Sequence, residues 1–452
     1  MHAAVAAGHP ATVEAGIEIL GDGGTAADAA VAACLASCVA ETVMTGLLGG
    51  AHAIHWDGQE ARNLDGFVDV PSGSGAELVE LQVPFGEELV HYAVGPGSCA
   101  VPGLPGALDA LWRAHGRLPW PRLVEPALRL ARSGVPLPPA HASCLAMLAP
   151  VFTLQETGRR IYAPQGEPLG AGDLLEQPGL AVALEALAAE GAASVYRGAI
   201  ADVLLAEEGC AVTAADLAGY EARWTQPVAV DHGGARVLTR GGFSGVPETL
   251  GRLPRLRDLS AADRVLALLG ALRGPAAGGH TTNVSVVDRD GCACVLTSSL
   301  GLGTGDFLPG LDLHLNSMLG EVDLLLAPLV PGRRMESLMA PSLAVDDDGL
   351  ALAIGAAGGT RLRTALVGVA AAILDEGVDP VAAVERPRAH PFGEVVHAEP
   401  GVDEDALARL EAAGRTVRRW GARHHYFGGV SLVGRGGAAG DPRRSGHAAS
   451  PV

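Results

Sequence analysis

Apolar and polar positions along the chain change period part-way through it. Residues 10–20 recur at helical spacing, and Pro10 suits a first helical turn, where its missing N–H would have no intrahelical acceptor. Gly21-Asp22-Gly23-Gly24 interrupts that pattern. A second helix then starts near Thr25 and runs through Ala26-Ala27-Asp28-Ala29-Ala30-Val31-Ala32-Ala33. So much alanine predicts a core helix packed very closely by its neighbours. Thr45-Gly46-Leu47-Leu48-Gly49-Gly50 reads as a glycine-rich turn before an alternating strand over 51–56. Residues 105–210 are mostly helical, with Leu–Ala periodicity over 123–133 and 180–190. The stretches 241–245 and 273–279 are loop-like and flank a helix over 261–272. The second is expected to be a flexible surface segment, a place where chains are cut.

Beyond it the period becomes two. Residues 281–299 predict a hairpin with strands at 284–287 and 293–296, turning at Asp288-Arg289-Asp290-Gly291, where glycine supplies a positive φ. Further strands are expected at 311–315 and at 341–351 around a solvated Asp346-Asp347-Asp348-Gly349 turn. Leu352-Ala353-Ile354 leads to Gly355-Ala356-Ala357-Gly358-Gly359, and a helix follows over 361–374. No internal repeat is visible. Helices dominate the first part and paired strands the second, which suits an α+β arrangement of sheets covered by helices on their outer faces.

Composition narrows the chemistry. The chain has 452 residues, 48% of them apolar, enough for a large core. Its 32 basic residues are all arginine. Without lysine there is no Schiff-base chemistry, no P-loop, and no kinase or S-x-x-K signature. A net charge of −19 removes the positive footprint that nucleic-acid binding requires and serves solubility. Seven scattered cysteines are not a disulfide framework, and Cys292-x-Cys294 lacks the second ligand pair a zinc site needs. The N-terminus carries no basic and apolar leader pattern, and the uncharged run 29–40 is too short to span a bilayer. The expectation is a cytoplasmic protein with reduced thiols, no membrane and no metal.

Neither H-E-x-x-H nor G-x-S-x-G occurs, and His424-His425 has no carboxylate cluster beside it. What remains is Gly278-Gly279-His280-Thr281-Thr282-Asn283-Val284-Ser285-Val286-Val287-Asp288, a glycine loop feeding a strand. Taken with Gly23-Gly24-Thr25-Ala26-Ala27-Asp28-Ala29-Ala30-Val31-Ala32, Asp216-Leu217-Ala218-Gly219-Tyr220, Arg333-Arg334-Met335-Glu336-Ser337-Leu338-Met339-Ala340-Pro341, Gly358-Gly359-Thr360-Arg361, Pro387-Arg388-Ala389-His390 and Asp441-Pro442-Arg443, it resembles the γ-glutamyltranspeptidase family over nearly the whole chain.

That resemblance implies a four-layer αββα N-terminal-nucleophile hydrolase sandwich, made by two chains cut from one precursor between His280 and Thr281. Residues 1–280 would be the large-subunit-like segment and 281–452 the small-subunit-like one. The two would stay associated, and a homodimer of such heterodimers is allowed. The chemical logic suits this composition. A threonine hydroxyl needs a base, and a free α-amino group titrating near 7.7–8.0 can be that base on the same residue. No cofactor is implied. The family's orienting hydroxyl falls on Ser299, and its oxyanion-hole backbone pair falls on Gly358 and Gly359. Such donors contribute roughly 3–4 kcal/mol each to transition-state stabilisation. Substrate contacts are implied at Glu321, Ser337 and Thr297.

The departures cluster where the family grips its substrate's amino-acid head group. Phe67 stands where the carboxylate-binding arginine belongs, Ser337-Leu338 replaces a serine pair, Gly301 an asparagine, and Asn283 a histidine. A carboxylate held without its arginine would be costly, so either Arg361 or Arg334 substitutes or the substrate is not a free γ-glutamyl group. The expected activity is transfer or hydrolysis of γ-glutamyl or related amides, of the glutathione type, through an acyl-enzyme. Recruitment to another acyl or C–C bond hydrolysis, and an unprocessed scaffold, remain as alternatives.

Overall fold

The structure is a computed structural model describing residues 2–85, 88–272, 281–321 and 328–451. The loop expected at 273–279 and His280 of the expected cut lie outside the described residues.

Two sheets face each other. The first contains β1 (Ala4–Ala7), β2 (Gly50–Trp56), β3 (Ala61–Gly66), β4 (Arg223–Thr225), β7 (Thr282–Val287), β8 (Ala293–Ser299) and β13 (His447–Ala449), in the order β13-β1-β7-β8-β2-β3-β4. The second contains β5 (Val228–His232), β6 (Ala235–Thr239), β9 (Ser342–Asp346), β10 (Gly349–Ala357), β11 (Gly429–Gly434) and β12 (Gly437–Gly440), in the order β12-β11-β10-β9-β6-β5. Helices α1 (Pro10–Gly21) and α2 (Ala26–Ala40) cover the outside of the first sheet. Helices α3 (Val246–Arg252), α4 (Arg361–Leu374) and α5 (Pro380–Glu385) cover the second. This is the expected αββα sandwich.

The sequence accounts for the layers locally. All fifteen residues of α2 are buried, because alanine lets the sheet and the flanking helices approach its backbone from every side. Its start is fixed by a capping box. Thr25 Oγ1 accepts from the Asp28 N–H (3.1 Å), and Asp28 Oδ2 accepts from the Thr25 N–H (3.0 Å). Alternation along the central hairpin sends Val284, Val286, Cys294 and Leu296 toward α2, and Val287, Ala293 and Val295 toward the second sheet. Both faces of β2 are therefore covered, and the strand read as alternating is buried almost throughout. Each fully buried aliphatic side chain contributes roughly 1.5–3 kcal/mol to such a core.

One expected element shortens. Only Leu313–His314 of the strand over 311–315 forms, paired with Phe307–Leu308. The reason is local: Asp312 is left-handed (φ 51°), and its carboxylate accepts from the Gly179 N–H (2.8 Å) and from Arg160 (2.5 Å).

Two of the motifs prove structural. Arg388 donates to Asp441 (2.6 Å), and Arg443 donates to Glu399 (2.7 and 2.5 Å) and to Asp441 (3.2 Å). All four side chains are buried. Asp441 Oδ2 also accepts from the Val430 N–H (3.1 Å), tying the cluster to β11.

The segments before and after residue 280 interleave. In the first sheet β7 pairs with β1 on one side and β8 pairs with β2 on the other, while β13 adds to β1.

Candidate active site

The site lies at one end of the central hairpin. Thr282 pairs with Ser298, so Thr281, one residue earlier, stands opposite Ser299. Ser299 pairs in turn with Gly50, and the chain beyond β3 carries Phe67 alongside. The glycine at 50 is needed there, since a Cβ would lie 2.7 Å from Phe67 Cδ2. This front row meets the second sheet where β10 ends in Gly358 and Gly359. Both have positive φ (124° and 57°), which turns the chain into α4.

These elements enclose a cavity of about 30 Å³. Six of the side chains or backbones expected from the sequence line it: Thr281, Ser299, Gly359, Glu321, Ser337 and Phe67. Thr281, Ser299, Glu321 and Ser337 are all buried. Ser299 Oγ accepts from the Gly301 N–H (3.1 Å). Gly301, at φ 71°, passes so close that a Cβ would lie 2.6 Å from both Glu321 Oε1 and Ser317 Oγ, so glycine lets the backbone run against the acid. Ser337 Oγ accepts from the Met339 N–H (3.2 Å), and its carbonyl accepts from Arg240 (2.7 Å).

Three expected positions stand elsewhere. Gly358 is absent from the lining and packs instead on Gly428, where a Cβ would meet Cα at 2.8 Å. Thr297 is one row behind, buried, with Oγ1 2.7 Å from the Asn283 amide. Arg361 is buried with its guanidinium 4.3 Å above the Tyr426 ring and does not line the cavity. The other candidate arginine is also engaged away from the cavity. Arg334 donates to Asp69 (2.7 Å), Asp65 (3.1 Å), the Tyr220 hydroxyl (3.1 Å) and the Glu221 carbonyl (2.7 Å). Neither guanidinium lines the cavity beside Phe67.

Several lining and supporting groups escaped sequence reading. Met318, Met339 and Leu362 join Leu338 and Phe67 to make most of the cavity wall apolar. On the other side of Thr281 a space of about 10 Å³, the size of one water, is lined by Glu41, Thr282, His141 and Arg444 among others. Glu41 accepts from Thr282 Oγ1 (2.5 Å) and Thr12 Oγ1 (2.7 Å), and burial pushes its carboxyl up to about 7. Glu41 follows α2 with no motif to announce it. Among the described residues no three His, Cys, Asp or Glu side chains converge as a metal would require.

The arrangement places a hydroxyl nucleophile candidate, a second hydroxyl and a glycine backbone around one small, largely apolar space with one acid, Glu321, among the described residues. That geometry suits acyl transfer.

Comparison with known proteins agrees on the architecture. The profile of the family described as Gamma-glutamyltranspeptidase matches residues 12–253 and 258–450. The acylase ACY 1 proenzyme of Pseudomonas sp. (strain V22) is 28% identical, over 92% of this chain and 87% of that protein. The glutathione hydrolase proenzyme of Bacillus subtilis (strain 168) is 26% identical, over 91% and 84%. The crystal structure of cephalosporin acylase from Bacillus halodurans superposes with a TM-score of 0.85 at 24% identity, covering 99% of this chain and 95% of that one.

Proposed function

The chain belongs to the gamma-glutamyltranspeptidase family, and from that premise we propose that it cleaves itself between His280 and Thr281 and then works as an N-terminal-threonine acyl hydrolase or transferase. In this reading the freed α-amine of Thr281 takes the proton of its own Oγ, and Oγ attacks the substrate's carbonyl carbon. Gly359 offers its backbone amide to the oxyanion, and Ser299 orients the nucleophile. Collapse breaks the C–N bond, the ammonium returns its proton to the leaving amine, and an acyl ester stays on Thr281. Water or an acceptor amine then attacks that ester and restores the hydroxyl.

The observation that carries the reading is the convergence of Thr281, Ser299 and Gly359 on one cavity. The interleaving of β7 and β8 with β1 and β2 supports continued association of the two fragments after cleavage.

Two kinds of relative suggest two substrates. Some are named glutathione hydrolases, others acylases. The cavity favours the second kind. Phe67, Met318, Leu338 and Met339 offer an acyl chain apolar contacts, and Glu321 would repel a free carboxylate while accepting an ammonium. We therefore read the substrate as an amide whose acyl group lacks a free α-carboxylate. Intact-mass measurement tests the processing: wild type should yield two polypeptides cut before Thr281, and Thr281→Ala one. A panel of acyl anilides tests the activity. A wild-type chain that stays intact under all refolding conditions overturns the proposal.

A further inference from the structure

Behind the row that carries Thr281 and Ser299 lies another row of side chains in strict cross-strand register. Asn283 on β7 pairs with Thr297 on β8, Thr297 with His52 on β2, and His52 with Asp65 on β3. All point between the sheets, one step behind the cavity. The histidine that the family motif places on the nucleophile strand is missing at Asn283, yet the row still contains one, two strands away and against Phe67.

We propose that His52 is a positioning residue for substrate selection, its ring holding Phe67 as the apolar wall of the cavity and so favouring acyl groups without a free carboxylate. This rests on Thr281 being the nucleophile. The backbone around Phe67 is pinned independently of its ring. The Phe67 N–H donates to Asp65 Oδ1 (3.1 Å), and its carbonyl accepts from the Tyr220 hydroxyl (2.7 Å). What remains to be fixed is the ring. His52 stacks on it with centroids 5.5 Å apart and planes 22° apart. Asp65 Oδ1 lies 3.6 Å from the His52 Nδ1, beside the ring but beyond direct hydrogen-bond distance.

Charge supports the assignment. Burial, aided by the Arg240 and Arg334 guanidiniums and opposed by Asp65, holds the imidazole well below its usual range, so it is neutral at cellular pH. A neutral ring gives Phe67 a flat, uncharged partner. A protonated one would place a cation behind the wall and draw a carboxylate toward it.

The test uses the processed enzyme with two anilides, butyryl-p-nitroanilide and γ-glutamyl-p-nitroanilide, and rates normalised to active sites. His52→Ala should raise KM for the butyryl substrate at least fivefold, leave kcat within twofold and narrow the preference over γ-glutamyl. His52→Phe, which keeps the stack, should restore both. Where His52→Ala does not fold, His52→Gln keeps much of the volume without the ring and carries the comparison. Unchanged KM and preference with only a lower melting temperature, or a His52→Phe variant that behaves like alanine, overturns the role. Calorimetric binding of butyramide to the full-length chain gives the same ranking without turnover. If Thr281 proves not to be the nucleophile, weaker binding in His52→Ala restored in His52→Phe still supports the role, and equal affinity refutes it.

Discussion

Glu41 offers a perturbation whose sign differs from that of most carboxylates. An ordinary glutamate ionises near 4.5, and here burial moves the folded-state value to about 7, even though Thr282, Thr12 and the Arg444 charge pull it back. Below pH 4.5 both folded and unfolded carboxyls are protonated and nothing is lost. As pH rises from 4.5 to 7 the unfolded chain releases a proton that the folded chain keeps, so stability falls. Above 7 the cost is complete. A tenfold change in an ionisation constant is worth about 1.4 kcal/mol, so the penalty above pH 7 is about 3 kcal/mol. Glu41→Gln removes the charge and keeps the shape. The protonated carboxyl already requires one of the two threonine hydroxyls to turn and accept, so the amide that replaces it adds little further cost. The variant should therefore be about 3 kcal/mol more stable than its parent at pH 8 and close to it at pH 4.5. Urea unfolding at both pH values, in a Thr281→Ala background that keeps one covalent chain, measures the difference. A Gln variant less stable at pH 8, or a difference that does not change with pH, would refute the reasoning and place Glu41 in a permanent ion pair with Arg444.

Thr281→Ala should remain a single polypeptide by intact mass and show no anilide turnover. Asp441→Asn removes the acid between Arg388 and Arg443 and should cost about 3–5 kcal/mol, read as a large drop in melting temperature by circular dichroism. Compared with a neutral apolar anilide, the γ-glutamyl anilide should lose roughly 2–5 kcal/mol in kcat/KM, and a clear preference for the free acid would instead favour a recruited guanidinium such as Arg240. Thiol titration under denaturing, non-reducing conditions should find all seven cysteines reduced, as the free thiols of the fold imply.

Much of the fold is legible in the sequence because it is local. The boundary at Thr25 follows from a capping box, the hairpin from an Asp-Gly turn between β-branched runs, and α4 from the glycine pair before it. The expected residues that reached the cavity lie in motifs, or at aligned departures from them, whose spacing fixes them to strand ends. The misplaced ones failed for non-local reasons. Arg361 opens α4 as expected, but its guanidinium is placed over the Tyr426 and Phe392 rings, which come from distant parts of the chain. Arg334 belongs to a motif, but its four acceptors come from residues 65, 69, 220 and 221, brought together by folding. Glu41 and His52 are invisible to periodicity. Glu41 is a lone acid after an alanine helix, and His52 resembles any alternating strand position until the register is known.

The division between machinery and selectivity follows from the same topology. Thr281 and Ser299 face each other on one hairpin, so a single register keeps the pair intact whatever happens elsewhere. The walls come from separate stretches: Phe67 after β3, Glu321 and Met318 after the short strand at Leu313–His314, Ser337 to Met339 before β9, and Leu362 in α4. Each can change without disturbing the hairpin. On the proposed function, Phe67, Leu338 and the two methionines favour one outcome. Arg334 already pairs with Asp65 and Asp69, so an incoming carboxylate would have to displace a largely buried ion pair to recruit it. It would do so while facing Glu321 across a cavity of about 30 Å³, where like charges are poorly screened. In the proposed reading an apolar acyl group meets neither obstacle. The adaptable thioethers of Met318 and Met339 can reshape around its chain, and the nucleophile row need not move at all.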